Sequence, residues 1–417
     1  MASTLQIDRE LAFGEAGAWS RPLSVWGVIA FVAGTTMPLV IDVGGELYVG
    51  ELLLALIAAS SLAASAARSI FGTRTLPRML LALTVTLVGY IVSDLIRGSA
   101  PAAYARGWSK IAFTGIDAVG LTWLGLEWPD NLRSYGIGLA MGLSLAVALG
   151  LGDSPRDLWK FGYAYPVTLS VACLLPWFGH FMTVLAMGAL GLLHELLDYR
   201  SLGAFCLLTA ALLSVNHSVR SPAKNRGVLR LALVLLIAGG VLGGAYVVSN
   251  ESFAKRREAS NTARLIQIEI VAAAIYRSPI IGYGSWAPNS DVAREILAVG
   301  RAEGLQGSRH DDPSKIGAHS QILQGWYEGG ILGSVFFIYF ILQLVRGLRL
   351  MALHAPWTRL NALFYLALIS SLWAAAFSPF AGEERRSIGL AVAALCVCEA
   401  KRQDWLEPAT AQYEAEA

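Results

Sequence analysis

Apolar segments of roughly twenty residues recur along almost the whole chain, and nothing constrains its fold more. That length matches the hydrocarbon thickness an α-helix must cross, about 20 residues. In lipid every backbone N–H and C=O has to find a partner within the chain, so such runs are expected to be helical. Candidate spans lie near 23–41, 47–66, 78–96, 106–125, 133–151, 161–178, 181–197, 202–216, 229–249, 319–345, 359–379 and 386–400. The sixth and seventh are separated only around Phe178-Gly179-His180, and the eighth and twelfth are short enough to be tilted or partly re-entrant. Of the 417 residues, 55% are hydrophobic and 15% charged, whereas a soluble domain carries about 25% charged residues. The 42 glycines suit close helix packing in lipid. The chain reads as an all-α polytopic membrane protein with about twelve transmembrane helices, in contact with a lipid bilayer. A net charge of +2 gives no reason to expect a nucleic acid partner.

Met1–Ser20 lacks a basic leader running into a short apolar core, and the first run has no small-residue cleavage site, so it reads as a retained span. Cys173, Cys206, Cys396 and Cys398 all lie inside apolar runs and read as small buried residues, not as metal ligands.

Basic residues set the orientation. Arg68, Arg74 and Arg78 share one loop, and His217, Arg220, Lys224 and Arg226 share another. Arg346, Arg349 and Arg359 share a third, and Lys401 and Arg402 follow the last span. With twelve spans all four groups fall on one side, the cytoplasm by the positive-inside rule. The expected layout is a cytoplasmic tail (1–22), nine spans (23–249), a long outer loop (250–318), three spans (319–400) and a second cytoplasmic tail (401–417). Arg200, Arg385, Arg386 and His319 then face the non-cytoplasmic side.

Several residues on that face carry chemistry. His319 stands at the mouth of the tenth span, where water meets lipid. A histidine there either caps the helix and sits wetted at the interface, or moves a proton on a membrane-held substrate. In the long loop Ser260-Asn261-Thr262 looks like an N-cap, with a helix over Thr262–Tyr276 whose apolar stripe (Leu265, Ile268, Val271, Ala272, Ile275) lies against the membrane. Arg264 then falls in the first turn, unfavourable against the helix dipole unless an anion docks there. The other reading is an interfacial arginine snorkelling to headgroups. Pro279-Ile280-Ile281-Gly282-Tyr283-Gly284 ends that helix in a tight turn, and its G-x-G is weak evidence for a phosphate loop. Arg200 follows Asp198-Tyr199, either as a stop-transfer arginine paired with Asp198 or as an anion ligand. Gln324, Glu328, Arg385 and Arg386 are supporting candidates. No set of metal ligands stands out: His310-Asp311-Asp312 sits in a Ser/Gly/Lys-containing stretch and is not read as a metal site.

Three blocks of this chain resemble the O-antigen ligase and O-antigen polymerase superfamily (WaaL/Wzy-like). They are Arg200-Ser201-Leu202-Gly203-Ala204, Arg264 with Pro279-Ile280-Ile281-Gly282-Tyr283-Gly284, and Ala318-His319-Ser320 through Glu328-Gly329-Gly330-Ile331-Leu332-Gly333. Ser320 stands where the family usually has asparagine, and Ser201 follows its arginine where the family's serine precedes it. The resemblance covers roughly 200–345. It implies a GT-C-type membrane glycosyltransferase with no cofactor or metal, in the bacterial inner membrane. Its donor would be a glycan on undecaprenyl pyrophosphate at the periplasmic face. The acceptor would be lipid A–core in a ligase or a growing glycan in a polymerase. Carried over to this sequence, His319 would activate the acceptor hydroxyl, and Arg264 and Arg200 would hold the pyrophosphate. A twelve-span transporter or flippase is a third reading, but such folds usually show internal repeats, and none is visible here.

Overall fold

The computed structural model describes residues 24–42, 46–63, 72–150, 158–197, 199–220, 251–285, 290–302, 318–356, 358–380, 382–402 and 405. The expected ninth span, the Asp311-Asp312 stretch, Asp198, and most of both tails lie outside them.

Helices dominate the described residues: α1 Val25–Thr36, α2 Val49–Ala63, α3 Thr75–Arg97, α4 Pro101–Glu127, α5 Asp130–Ala148, α6 Ala164–Leu174, α7 His180–Leu196, α8 Arg200–Arg220, α9 Glu251–Arg277, α10 Ser290–Ala302, α11 Gln321–His354, α12 Asn361–Phe377 and α13 Gly382–Ala400. A π-helical turn, Trp159–Tyr163, leads into α6, and a 3-10 turn, Leu175–Phe178, follows it. Each expected span outside 229–249 coincides with one of these helical segments. Three segments (Thr75–Arg97, Trp159–Phe178 and Gln321–His354) are long and apolar enough to cross a membrane by themselves, and five shorter helices are also apolar. This is the make-up of a helical membrane protein.

Local signals set the boundaries. Ser24 caps α1 by accepting from the Gly27 N–H at 2.9 Å. Gly98, at φ 64°, ends α3 in the left-handed region, and Pro101 opens α4. Helices α1 and α5 meet backbone to backbone: a Cβ on Gly138 would lie 2.1 Å from the Phe31 carbonyl oxygen, the close approach that small residues permit in lipid.

Three local expectations change. Val40–Asp42 and Glu46–Tyr48 form an antiparallel two-stranded hairpin, so the fold is not purely helical. Val40, Ile41 and Tyr48 are strand formers, but strands this short leave no readable alternation. The loop helix α9 runs unbroken through Ser260-Asn261-Thr262, because cap residues are only mildly unfavourable inside a helix and packing overrides them. Arg264 is therefore in a helix interior, and the anion argument from a first turn falls for it. The buried face of α9 is also rotated. Ile266, Ile270 and Ala274 pack on Val292 and Ile296 of α10, which the sequence reading had missed. Val271 and Ile275 pack on Ala318, Leu323 and Trp326. Leu265, Ala272 and Tyr276 stay exposed, the set left to face lipid.

Candidate functional site

The site is organised by a break in α11. At Gly330 the backbone leaves helical geometry (φ 65°, ψ −164°). A break frees backbone groups, and in a membrane each must be paired again. The turn after α9 does this. Ile331 N–H donates to the Pro279 carbonyl at 3.0 Å, and Tyr327 and Glu328 carbonyls accept from Tyr283 N–H at 2.8 Å and Gly284 N–H at 3.0 Å. Ser93 Oγ donates to the Glu328 carbonyl at 2.7 Å, and Trp326 Nε1 donates to the Pro279 carbonyl at 2.8 Å. Arg97 closes the clamp from outside through Nε to the Gly282 carbonyl at 2.9 Å. The fit is close: a Cβ on Gly330 would sit 1.9 Å from the Ile280 carbonyl oxygen, and one on Gly282 would sit 2.5 Å from the Gly330 nitrogen. The glycines of Gly282-Tyr283-Gly284 thus serve backbone packing against α11, and their N–H groups are not free for phosphate. Two of the three sequence blocks are one structural unit.

Just below the mouth of α11 lies a buried polar network. Gln324 Nε2 donates to Glu328 Oε1 at 3.1 Å, and Tyr90 OH donates to Glu328 Oε2 at 2.7 Å. Phe380 N–H donates to Gln324 Oε1 at 2.7 Å, while Lys110 Nζ donates to the Phe380 carbonyl at 2.6 Å. Gln324 and Glu328 therefore tie α11 to α3 and to the segment after α12. Asp94 fixes the far side of the turn, accepting from Trp108 Nε1 at 2.7 Å and Ser285 N–H at 2.6 Å. Tyr90, Asp94 and Lys110 were missed in the sequence. The available signal was ionisable residues within apolar helices, which in lipid are expensive and need partners.

His319 immediately precedes α11 and is half-buried. The cap of α11 is Ser320, whose Oγ accepts from the Leu323 N–H at 3.4 Å. The histidine is thus not the capping residue. Serine is a strong N-cap. Ser320 Oγ also lies 3.4 Å from the Ala375 carbonyl near the end of α12, and Ala318 packs on α9. His319 accordingly sits where α9, α11 and α12 meet.

Arg264 lies seven and eleven residues before Val271 and Ile275, on the same stripe of α9 and about 10 Å along the axis from Val271. It is exposed, on the flank of α9 that packs against the His319 segment. Arg200 is the first residue of α8 and is also exposed. One turn on, Phe205 meets Trp373 of α12 edge-on with centroids 5.9 Å apart, so Arg200 shares the end of the bundle where α12 touches Ser320. Its side chain is engaged within the protein.

Arg385 is only 3% exposed. It pairs in a fork with Glu51, Nε to Oε1 at 2.6 Å and Nη2 to Oε2 at 3.0 Å, and Nη2 also reaches the Glu46 carbonyl. This guanidinium holds the hairpin and α2 against α13. Its neighbour Arg386 is half-buried and also engaged. Arg385→Ala leaves Glu51 buried without its partner and is expected to cost about 3–5 kcal/mol. Unfolding of the purified protein in detergent measures this, and a change under 1 kcal/mol would remove the pair from the framework. The four cysteines are buried and free.

Residues 184–338 match the family model described as O-antigen ligase. They carry an O-antigen ligase domain. The domain runs from α7 to the middle of α11, beginning somewhat before the 200–345 stretch expected from the motifs, and it contains Arg200, Arg264, His319 and both halves of the α11 clamp. No curated protein matches the chain. The match supports a glycan-transferring function in general, as a ligase or a polymerase.

Proposed function

We propose that the protein transfers a glycan from undecaprenyl pyrophosphate to an acceptor hydroxyl at the periplasmic face of the bacterial inner membrane, in the manner of an O-antigen ligase. The observation that carries this reading is His319: it precedes the cap of α11 without being the cap, at a junction of three helices within the ligase domain. His319 takes the proton of the acceptor hydroxyl as its oxygen bonds to the anomeric carbon. The bond from that carbon to the phosphate oxygen breaks, and the pyrophosphate leaves with the electron pair. A single displacement inverts the anomeric centre. Arg264 and Arg200 stabilise the charge that builds on the leaving group, because guanidinium forks match phosphate oxygens. Gln324 and Glu328 hold the mouth of α11 in place, and Arg385 anchors the hairpin. The prenyl chain lies between apolar helices, and the acceptor is lipid A–core.

Purified protein in liposomes, given a lipid-linked glycan and lipid A–core, tests the reaction. Product on the core supports a ligase. Lengthening of the lipid-linked glycan alone would make the protein a polymerase, and transfer to neither acceptor would sink the proposal. In the same assay Arg264→Ala is expected to weaken donor binding about 10- to 100-fold, the loss of one charged hydrogen-bond donor. Unchanged donor affinity would take Arg264 out of the pyrophosphate site.

A further inference from the structure

An open cavity of about 1060 Å³ lies between the start of α3, the last turns of α11 and the end of α13. Beyond the break at Gly330, residues 331–354 of α11 run for about 36 Å, enough to cross the ~30 Å hydrocarbon core. The last turns of the helix therefore reach the headgroup level of the far leaflet. Arg346 and Arg349 from those turns line the cavity with Arg74 and Arg78 of the α3 start and Arg402 after α13. All five are exposed to its space. The carboxylate lining it is Glu399, and that group accepts from the Thr75 N–H at 2.8 Å, capping α3. Leu126, Leu350, Leu353 and Leu395 form an apolar stretch of the wall, beside Gln343 and His354. Leu353 continues onto the exposed apolar flank of α11 formed by Val345 and Leu342, the surface that faces lipid.

Scattered basic residues at a cytoplasmic interface follow from topology alone. Five guanidiniums from three separate chain segments converging on one cavity, beside an apolar wall open to lipid, do not. The geometry points to a binding site for an anionic phospholipid, its phosphodiester headgroup among Arg74, Arg78, Arg346, Arg349 and Arg402 and an acyl chain along Leu350 and Leu353. Basic pockets between membrane helices recognise lipid headgroups through the same charge and fork chemistry. The apolar wall selects a lipid over a soluble phosphate. None of these arginines takes part in the proposed transfer, so the site does not depend on that reaction.

The test uses the full-length protein in phosphatidylcholine nanodiscs titrated with fluorescent phosphatidylglycerol. Saturable binding is expected, with no displacement by excess inorganic phosphate. The variant Arg346→Gln/Arg349→Gln is expected to bind about 30-fold more weakly while melting like wild type in phosphatidylcholine. Leu350→Trp, which fills the apolar wall and keeps every arginine, is expected to lose binding too, and it decides the matter if the double variant melts early. Wild-type affinity in either folded variant, displacement by inorganic phosphate, or equal binding of fluorescent phosphatidylcholine overturns the site.

Discussion

His319→Ala is expected to lose glycan transfer by about 10²- to 10⁴-fold, the contribution of a positioned general base, while the protein still inserts, folds and binds donor. The second half of that expectation rests on local structure. Ser320 supplies the cap of α11, and Ala318 supplies the contact to α9. Removing the imidazole touches neither, so the start of α11 survives. A purely structural histidine would show the reverse pattern, with a lowered melting temperature and proportional losses in donor binding and turnover. The discriminating measurement is a donor-binding titration beside single-turnover transfer, with thermal unfolding of both proteins. Transfer within a few-fold of wild type would end the assignment of His319 as the base. The companion variant Ser320→Ala should do what His319→Ala does not: lose about 1 kcal/mol of stability and disturb transfer only through the position of the histidine.

Much of the helical layout was legible because lipid permits so few solutions. A run of about twenty apolar residues has to be a helix, and each expected span within the described residues meets one. The site was legible only as separate residues. Nothing local in Pro279–Gly284 says that its N–H groups serve carbonyls freed at Tyr327 and Glu328, because that pairing spans more than forty residues and exists only after α9 has docked. The same distance hid the partners of Glu328 and Gln324. Ser260-Asn261-Thr262 misled in the other direction, since a cap signature is a local preference and α9 gains more by continuing. Helix α10 was readable: Val292, Ile296 and Val299 recur at helical spacing, but its short length among polar neighbours masked the pattern.

Gly330→Ala should be among the most damaging single-methyl changes in the chain, and a second glycine shows why. Gly98 and Gly330 both have φ near +65°, but Gly98, at ψ 39°, is left-handed helical with a penalty of about 1–2 kcal/mol, while Gly330, at ψ −164°, is in a region populated essentially by glycine alone. Their surroundings differ. A Cβ at Gly98 meets nothing within 4 Å, whereas at Gly330 it falls 1.9 Å from the Ile280 carbonyl oxygen. That oxygen belongs to backbone held by the Ile331–Pro279 and Tyr283–Tyr327 hydrogen bonds, so it cannot swing aside as a flexible side chain would. Making room means giving up bonds that pair the broken helix, and each buried polar group left unpaired costs about 1–3 kcal/mol. Gly98→Ala is thus expected to cost about 1–2 kcal/mol and Gly330→Ala at least about 3 kcal/mol more. Unfolding of both variants in the same detergent reads the difference directly. Because the clamp also sets where α11 begins, Gly330→Ala should lower transfer in whatever fraction remains folded. Equal costs at the two glycines would mean that α11 can straighten without the turn, and that the clamp does not position His319.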